Sequence, residues 1–153
     1  MGEKKNSVLI VDDTVVNVQA LMGILIGDYT VYVERDGRNV LESAAQLKPD
    51  LILLDIIMPE MDGFEVIRKL KKDERTEDIP IIFVTGLTDP GDEVRGFSLG
   101  AVDYISKPFS PHVVKMRVQH QIRIVNLIRE IQNLSITDAL TGKIGRASCR
   151  ERV

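Results

Sequence analysis

"LILLDIIMPEMDG", residues 51–63, is the stretch that decides how this chain folds. Leu51 to Leu54 form an apolar run of the kind a parallel strand shows when both its faces are buried. The run ends in Asp55, which places a carboxylate at the rim of the core, with Ile56, Ile57, Met58 and Pro59 after it. An aspartate there would ordinarily serve a turn or cap a helix. Asp62 fills that role better, because it stands just ahead of "GFEVIRKLKK", where Phe64, Ile67 and Leu70 recur at helical spacing. Asp55 is left needing another purpose.

Outward from this stretch, strand and helix patterns alternate with short connections. "VLIV" (8–11), "TVYVE" (30–34), "IPIIFVT" (79–85) and "AVDYIS" (101–106) read as strands, the second the most exposed. Helical spacing runs over 14–26, through "GRNVLESAAQL" until Pro49 stops it, weakly through "GDEVRGFSLG", and from Pro111 to about Leu134. Five such units predict an α/β fold, a doubly wound parallel sheet with helices on both faces. In such sheets the ligand lies beyond the carboxyl ends of the strands. That edge receives Asp12 and Asp13 from the first strand, Asp55 from the third, Thr85 from the fourth and Lys107 from the fifth.

Three carboxylates crowded together repel, and a cation among them relieves the repulsion. Oxygen-only ligands suit a hard divalent ion, Mg²⁺ first and Mn²⁺ next. An ion, the Lys107 ammonium and the Thr85 hydroxyl together are what a transferring phosphoryl group needs around its oxygens. Asp55 then has a purpose, as a carboxylate nucleophile that accepts phosphate.

Bulk properties narrow the remaining classes. At 153 residues, with 44% hydrophobic and 28% charged residues, the chain has the make-up of a globular domain with a proper core. A net charge of −3 argues against a general nucleic-acid surface. No long apolar run or signal-peptide core predicts a membrane role, and Asn6 stands where a myristoylation signal wants Ser or Thr. The single cysteine, Cys149, excludes an internal disulfide and fits a cytoplasmic setting, and with only two histidines beside it the composition argues against a zinc site. His112 and His120 read as surface positions.

"VLIVDD", "LILLDIIMPEMDG", "FVTG" and "DYISKPF", in this order over residues 7–110, resemble the receiver domain of two-component response regulators. The resemblance implies a flavodoxin-like sheet of five strands in the order 2-1-3-4-5. It implies that Asp55 is the phosphoacceptor, supplied by a sensor histidine kinase or a phosphotransfer protein. Asp13 and Asp55 would bind the metal, Asp12 would act through its water shell, and the backbone carbonyl of Ile57 would complete the protein ligands. Thr85 and Tyr104 resemble the family's switch pair, Lys107 its phosphate-binding lysine, and Lys107–Pro108 its cis peptide. Ile57 and Leu87 occupy the positions that flank the attacking water during dephosphorylation. The receiver's own chemistry would be acceptance of phosphate and slow loss of it, without a further enzymatic activity.

Residues 111–134 read as an extended fifth helix and signalling linker. Val114, Val118, Ile122 and Val125 form one stripe, while Ile124, Leu127, Ile131 and Leu134 are spaced like a coiled-coil seam. The expectation is a homodimer that depends on phosphorylation. "SITDALTG", 135–142, resembles the opening of a GGDEF diguanylate cyclase domain, which implies a parent that makes cyclic di-GMP; a parent with an HD-type phosphodiesterase is the alternative. "KIGRASCRERV", 143–153, has no strand or helix period. Codons for its last ten residues can be chosen to spell a sequencing adapter, so this tail is read as non-native. From another class, an aspartate-nucleophile phosphatase would want Asp-x-Asp, but Ile56 and Ile57 follow Asp55. A flavodoxin-like cofactor carrier would want a phosphate loop after the first strand, and none is there.

Overall fold

The computed structural model describes residues 5–58, 61–86 and 90–141, with Pro90 and residues 135–141 as backbone alone. The chain alternates β1 (Ser7–Val11), α1 (Val15–Leu25), β2 (Thr30–Glu34), α2 (Val40–Leu47), β3 (Leu51–Asp55), α3 (Gly63–Lys72), β4 (Ile81–Thr85), α4 (Pro90–Ser98), β5 (Asp103–Ser106) and α5 (Pro111–Thr141). All strand pairs are parallel and the order is β2-β1-β3-β4-β5. This is the doubly wound, flavodoxin-like architecture expected from the sequence.

Successive residues of a strand point to opposite faces, so continuously apolar strands feed two cores. Leu9, Val11, Ile52, Leu54, Ile81 and Phe83 pack with Val40, Ala44, Phe64, Ile67 and Leu70 under α2 and α3. Val8, Ile10, Leu51, Leu53, Ile82 and Val84 pack with Val18, Leu21, Leu25, Val114, Val118 and Ile122 under α1 and α5. Burying each large aliphatic side chain contributes about 1.5–3 kcal/mol, which makes these two layers the main source of stability. β2 is the partly exposed edge strand that its weaker pattern predicts.

Local chemistry sets the joints. Asp62 caps α3, accepting a hydrogen bond from Phe64 N at 2.9 Å. The residues ahead of α2 form a separate 3-10 turn, Gly37–Asn39, and Lys48 closes α2 in the left-handed conformation before Pro49. Gly96 falls inside the weakest helical pattern, that of α4. A Cβ there would lie 2.4 Å from the Phe83 ring, so the missing side chain is what lets α4 sit on β4.

Two strands begin later than the sequence pattern suggests, at Ile81 and Asp103. The fifth helix runs to Thr141 instead of ending near Leu134, and no glycine or proline interrupts residues 112–141. Its inner stripe is as expected, with Val114, Val118 and Ile122 buried and Val125 half-buried. No helix among the described residues is long and apolar enough to cross a membrane. Leu87 and residues 142–153 lie outside the described residues.

Candidate functional site

The carboxyl ends of β1 and β3 lie side by side, because Val11 pairs with Leu54 in the register of the two strands. Asp12, Asp13 and Asp55 therefore meet: each offers a carboxylate oxygen, and these oxygens lie within 4.8 Å of one another. Asp12 and Asp55 are almost fully buried, at 1% and 3% exposure, and Asp13 is half-buried. Asp12 Oδ1 accepts a hydrogen bond from Thr14 N at 2.9 Å. Asp12 Oδ2 is buried and has no hydrogen-bond partner, an arrangement that a buried carboxylate oxygen rarely tolerates without a ligand.

Lys107 Nζ donates to Asp55 Oδ1 at 3.0 Å. The lysine's backbone is fixed as β5 runs out, where Lys107 N donates to Thr85 O at 2.8 Å. The Lys107–Pro108 peptide is cis. Burial pushes the Asp55 carboxyl above the usual carboxylate range. The hydrogen bond from Lys107 opposes that rise, the charge of Asp12 adds to it, and Ile57 N–H donating to the carboxylate opposes it again. One ammonium thus only partly offsets the cluster's negative charge. A donor set of three carboxylates with an orphaned buried oxygen fits a hard divalent cation.

Thr85 is buried at the end of β4, and its partner in the β5 register is Ser106. Phe83, Thr85 and Tyr104 face the same side of the sheet by the two-residue period. Tyr104 stands two residues back from Ser106 and stacks on Phe83, with ring centroids 5.7 Å apart; Phe97 closes on both rings from α4. The Tyr104 hydroxyl donates to the Glu93 carboxylate, and this bond is the first cause that raises the phenol's pKa. Thr85 and Tyr104 therefore belong to one corner of the fold, but Tyr104 is tied to α4 rather than to the carboxylates.

Ile57 is 58% exposed beside the cluster, and it bridges Asp62 across the loop that follows β3. Sequence reasoning missed what shapes that loop. A Cβ on Gly63 would lie 2.5 Å from Ile56 Cα, so only glycine lets α3 start against the strand backbone. It also missed Glu93, whose role depends on a partner in another element. Ile124, Leu127, Ile131 and Leu134 are exposed on α5, far from the carboxylates.

The sequence pattern of a family described as "Response regulator receiver domain" matches residues 8–119. The chain is 46% identical over 117 residues to a Vibrio cholerae protein named "Probable cyclic di-GMP phosphodiesterase", a match covering 76% of this chain and 26% of that protein. It is 38% identical over 144 residues to Response regulator PleD of Caulobacter vibrioides, covering 94% of this chain and 32% of that one. The chain thus spans about a third or less of the length of these relatives. Among solved structures it is similar to the receiver domain of sensor histidine kinase PA1611 from Pseudomonas aeruginosa PAO1, which has a magnesium ion coordinated in its active-site cleft. That likeness has a TM-score of 0.71 at 29% identity, over 77% of this chain and 98% of that one.

Proposed function

Because this chain belongs to the response regulator receiver domain family, we propose that Asp55 accepts a phosphoryl group from a sensor histidine kinase or a phosphotransfer protein. The family's members are signalling domains of two-component systems. In the proposed step an Asp55 oxygen forms a bond to phosphorus as the bond from phosphorus to the donor's histidine nitrogen breaks. Lys107 holds a phosphoryl oxygen by charge, and Thr85 donates a hydrogen bond to another. Asp13, Asp55 and the Ile57 carbonyl would hold Mg²⁺ or Mn²⁺, with Asp12 acting through bound water. That ion would supply positive charge to the carboxylates and to the incoming phosphoryl group.

The observation that supports this reading best is the buried Asp55 held between two carboxylates and the Lys107 ammonium at the carboxyl edge of the sheet. The test is phosphate incorporation from phosphoramidate, or beryllofluoride binding, in excess Mg²⁺ with an Asp55→Asn control. A folded wild-type sample that takes up neither overturns it.

The switch would pass from Thr85, drawn toward the phosphate, to Tyr104, which would leave Glu93 and turn inward. That change alters the face made by α4, β5 and α5. Two phosphorylated chains would then pair, with Ile124, Leu127, Ile131 and Leu134 forming a helical seam. Residues 7–110 act as the receiver, 111–134 as the linker, 135–142 as the opening of a GGDEF domain, and 143–153 as a non-native tail. The output would be cyclic di-GMP synthesis. In its support, the match to Response regulator PleD covers 94% of this chain and so reaches past the receiver. A phosphodiesterase output is the second reading, favoured by the name of the relative from Vibrio cholerae. Reading the source locus past residue 142 separates the two, since a cyclase continues into its signature loop and an HD domain does not.

A further inference from the structure

Four polar residues from distant parts of the chain meet at the edge of the sheet opposite the carboxylate cluster. Asp50, one residue ahead of β3, is buried. Its Oδ2 accepts hydrogen bonds from Ser7 N at 2.8 Å and Asn6 Nδ2 at 3.1 Å. Its Oδ1 accepts one from Arg129 Nη2 on α5. One helical turn before Arg129, Asn126 Oδ1 accepts from Asn6 Nδ2 at 3.0 Å, and Asn126 Nδ2 donates to Asn6 Oδ1 at 3.3 Å.

These contacts begin where the apolar docking of α5 ends, since Ile122 is the last buried residue of its inner stripe. Beyond that point the helix stands over open space. A polar cavity of ≈ 550 Å³ lies on one side and a mixed, more apolar one of ≈ 730 Å³ on the other, and Lys48, Asp50 and Arg129 line both. The bridge between Arg129 and Asp50 crosses the gap that hydrophobic packing leaves. It is stronger than an ordinary surface pair, because the Asp50 carboxylate is buried and already fixed by two other donors, although the guanidinium is half-exposed.

We infer that Asp50, Arg129, Asn6 and Asn126 form a latch that holds the extended part of α5 as one body with the sheet. The latch also sets the direction in which the seam faces. Asn126 and Arg129 lie roughly 150° round the helix from the mean direction of Ile124, Leu127, Ile131 and Leu134. Fastening the one side to the sheet turns the other outward. This second consequence rests on the reading of α5 as the output helix, whereas the latch itself does not. Asp50 and the acceptor Asp55 stand at opposite ends of β3, so the strand that presents the acceptor is also the strand that anchors the helix.

The test is amide hydrogen exchange by NMR on the full chain, dilute enough that sedimentation reports a monomer. In Arg129→Gln, amides of residues 123–131 should lose protection by about tenfold, with β3 and β4 unchanged. Asn126→Ala should do the same to a smaller extent. Arg123→Gln, an exposed α5 cation outside the latch, should leave protection as it is in the wild type. The inference is overturned if Arg129→Gln exchanges like the wild type, if Arg123→Gln matches its loss, or if the wild-type segment exchanges freely. Failure of the dimer leaves these monomer measurements untouched and shows instead as protection at Ile131 that does not change with concentration.

Discussion

Lys107 and Asp55 stand 52 residues apart in sequence, yet the lysine's ammonium donates to the aspartate's Oδ1 at 3.0 Å. Only Lys107 among the described ion pairs reaches the carboxylate cluster. Asp55→Asn keeps an acceptor for Lys107 and removes a buried charge that Asp12 repels. In the metal-free protein it should raise stability at neutral pH by about 1–2 kcal/mol, measured by urea unfolding. Lys107→Met should lower stability more in the wild-type background than in the Asp55→Asn background, and equal losses would show that the pair is not coupled.

Asp13→Asn should weaken Mg²⁺ binding by about tenfold or more in calorimetric titration, because it takes one carboxylate from the donor set. Without metal this variant should be at least as stable as the wild type, since a like charge is gone. Unchanged Mg²⁺ affinity would remove Asp13 from the ligand set.

The exposed Ile57 beside Asp55 bears on the lifetime of the phosphorylated state. An aliphatic side chain cannot orient water for attack, and the family resemblance would put a second one, that of Leu87, at the other flanking position. Ile57→Asn with Leu87→Gln should speed loss of phosphate by about tenfold, followed over time in excess Mg²⁺. A double variant no faster than the wild type would mean that water access does not limit hydrolysis.

Activation should change the mass of the particle. Beryllofluoride with Mg²⁺ should convert the chain from monomer to dimer in sedimentation, and Ile131→Glu with Leu134→Glu should keep it monomeric. Identical masses with and without beryllofluoride would remove the phosphorylation dependence.

The turn after α3 gives a pH signature away from the acceptor. Asp73 accepts hydrogen bonds from Arg75 Nη2 at 2.9 Å and, at 2.8 Å, from Arg75 N, which lower its carboxyl to about 2. A carboxyl lowered by folding contributes stability that is complete above its unfolded value of 3.8 and is lost as pH falls through about 2. Carboxyl carbon shifts should titrate near 2 in the folded chain, and Asp73→Asn should flatten the acid limb of the stability curve. A midpoint near 3.8 would contradict the geometry.

The carboxylate edge was legible because strand ends are written locally, whereas the order of the strands came from the family resemblance. Four apolar residues before Asp55, similar runs before Asp12 and Thr85, and a mixed edge-strand pattern before Lys107 are enough to bring those groups to one rim. The contacts that escaped notice join residues with no periodic signal. Asn6 reaches Asn126 across 120 residues, Asp50 reaches Arg129 across 79, and Glu93 meets Tyr104 only because α4 leans over β5. Gly63 and Gly96 were hidden for a related reason: a glycine shows that space is needed but not which backbone or ring needs it. The end of α5 was placed early because the resemblance of 135–142 to a domain opening weighed more than the absence of any helix breaker.

The length of α5 makes a small motion at the sheet large at its far end. From Arg129, where it is fastened to Asp50, to Thr141 the helix extends roughly 18 Å at about 1.5 Å per residue. A tilt of about 15° there would sweep its tip through about 5 Å, close to the rise of a full helical turn. Displacements too small to see at the acceptor edge become differences of register for whatever the helix carries.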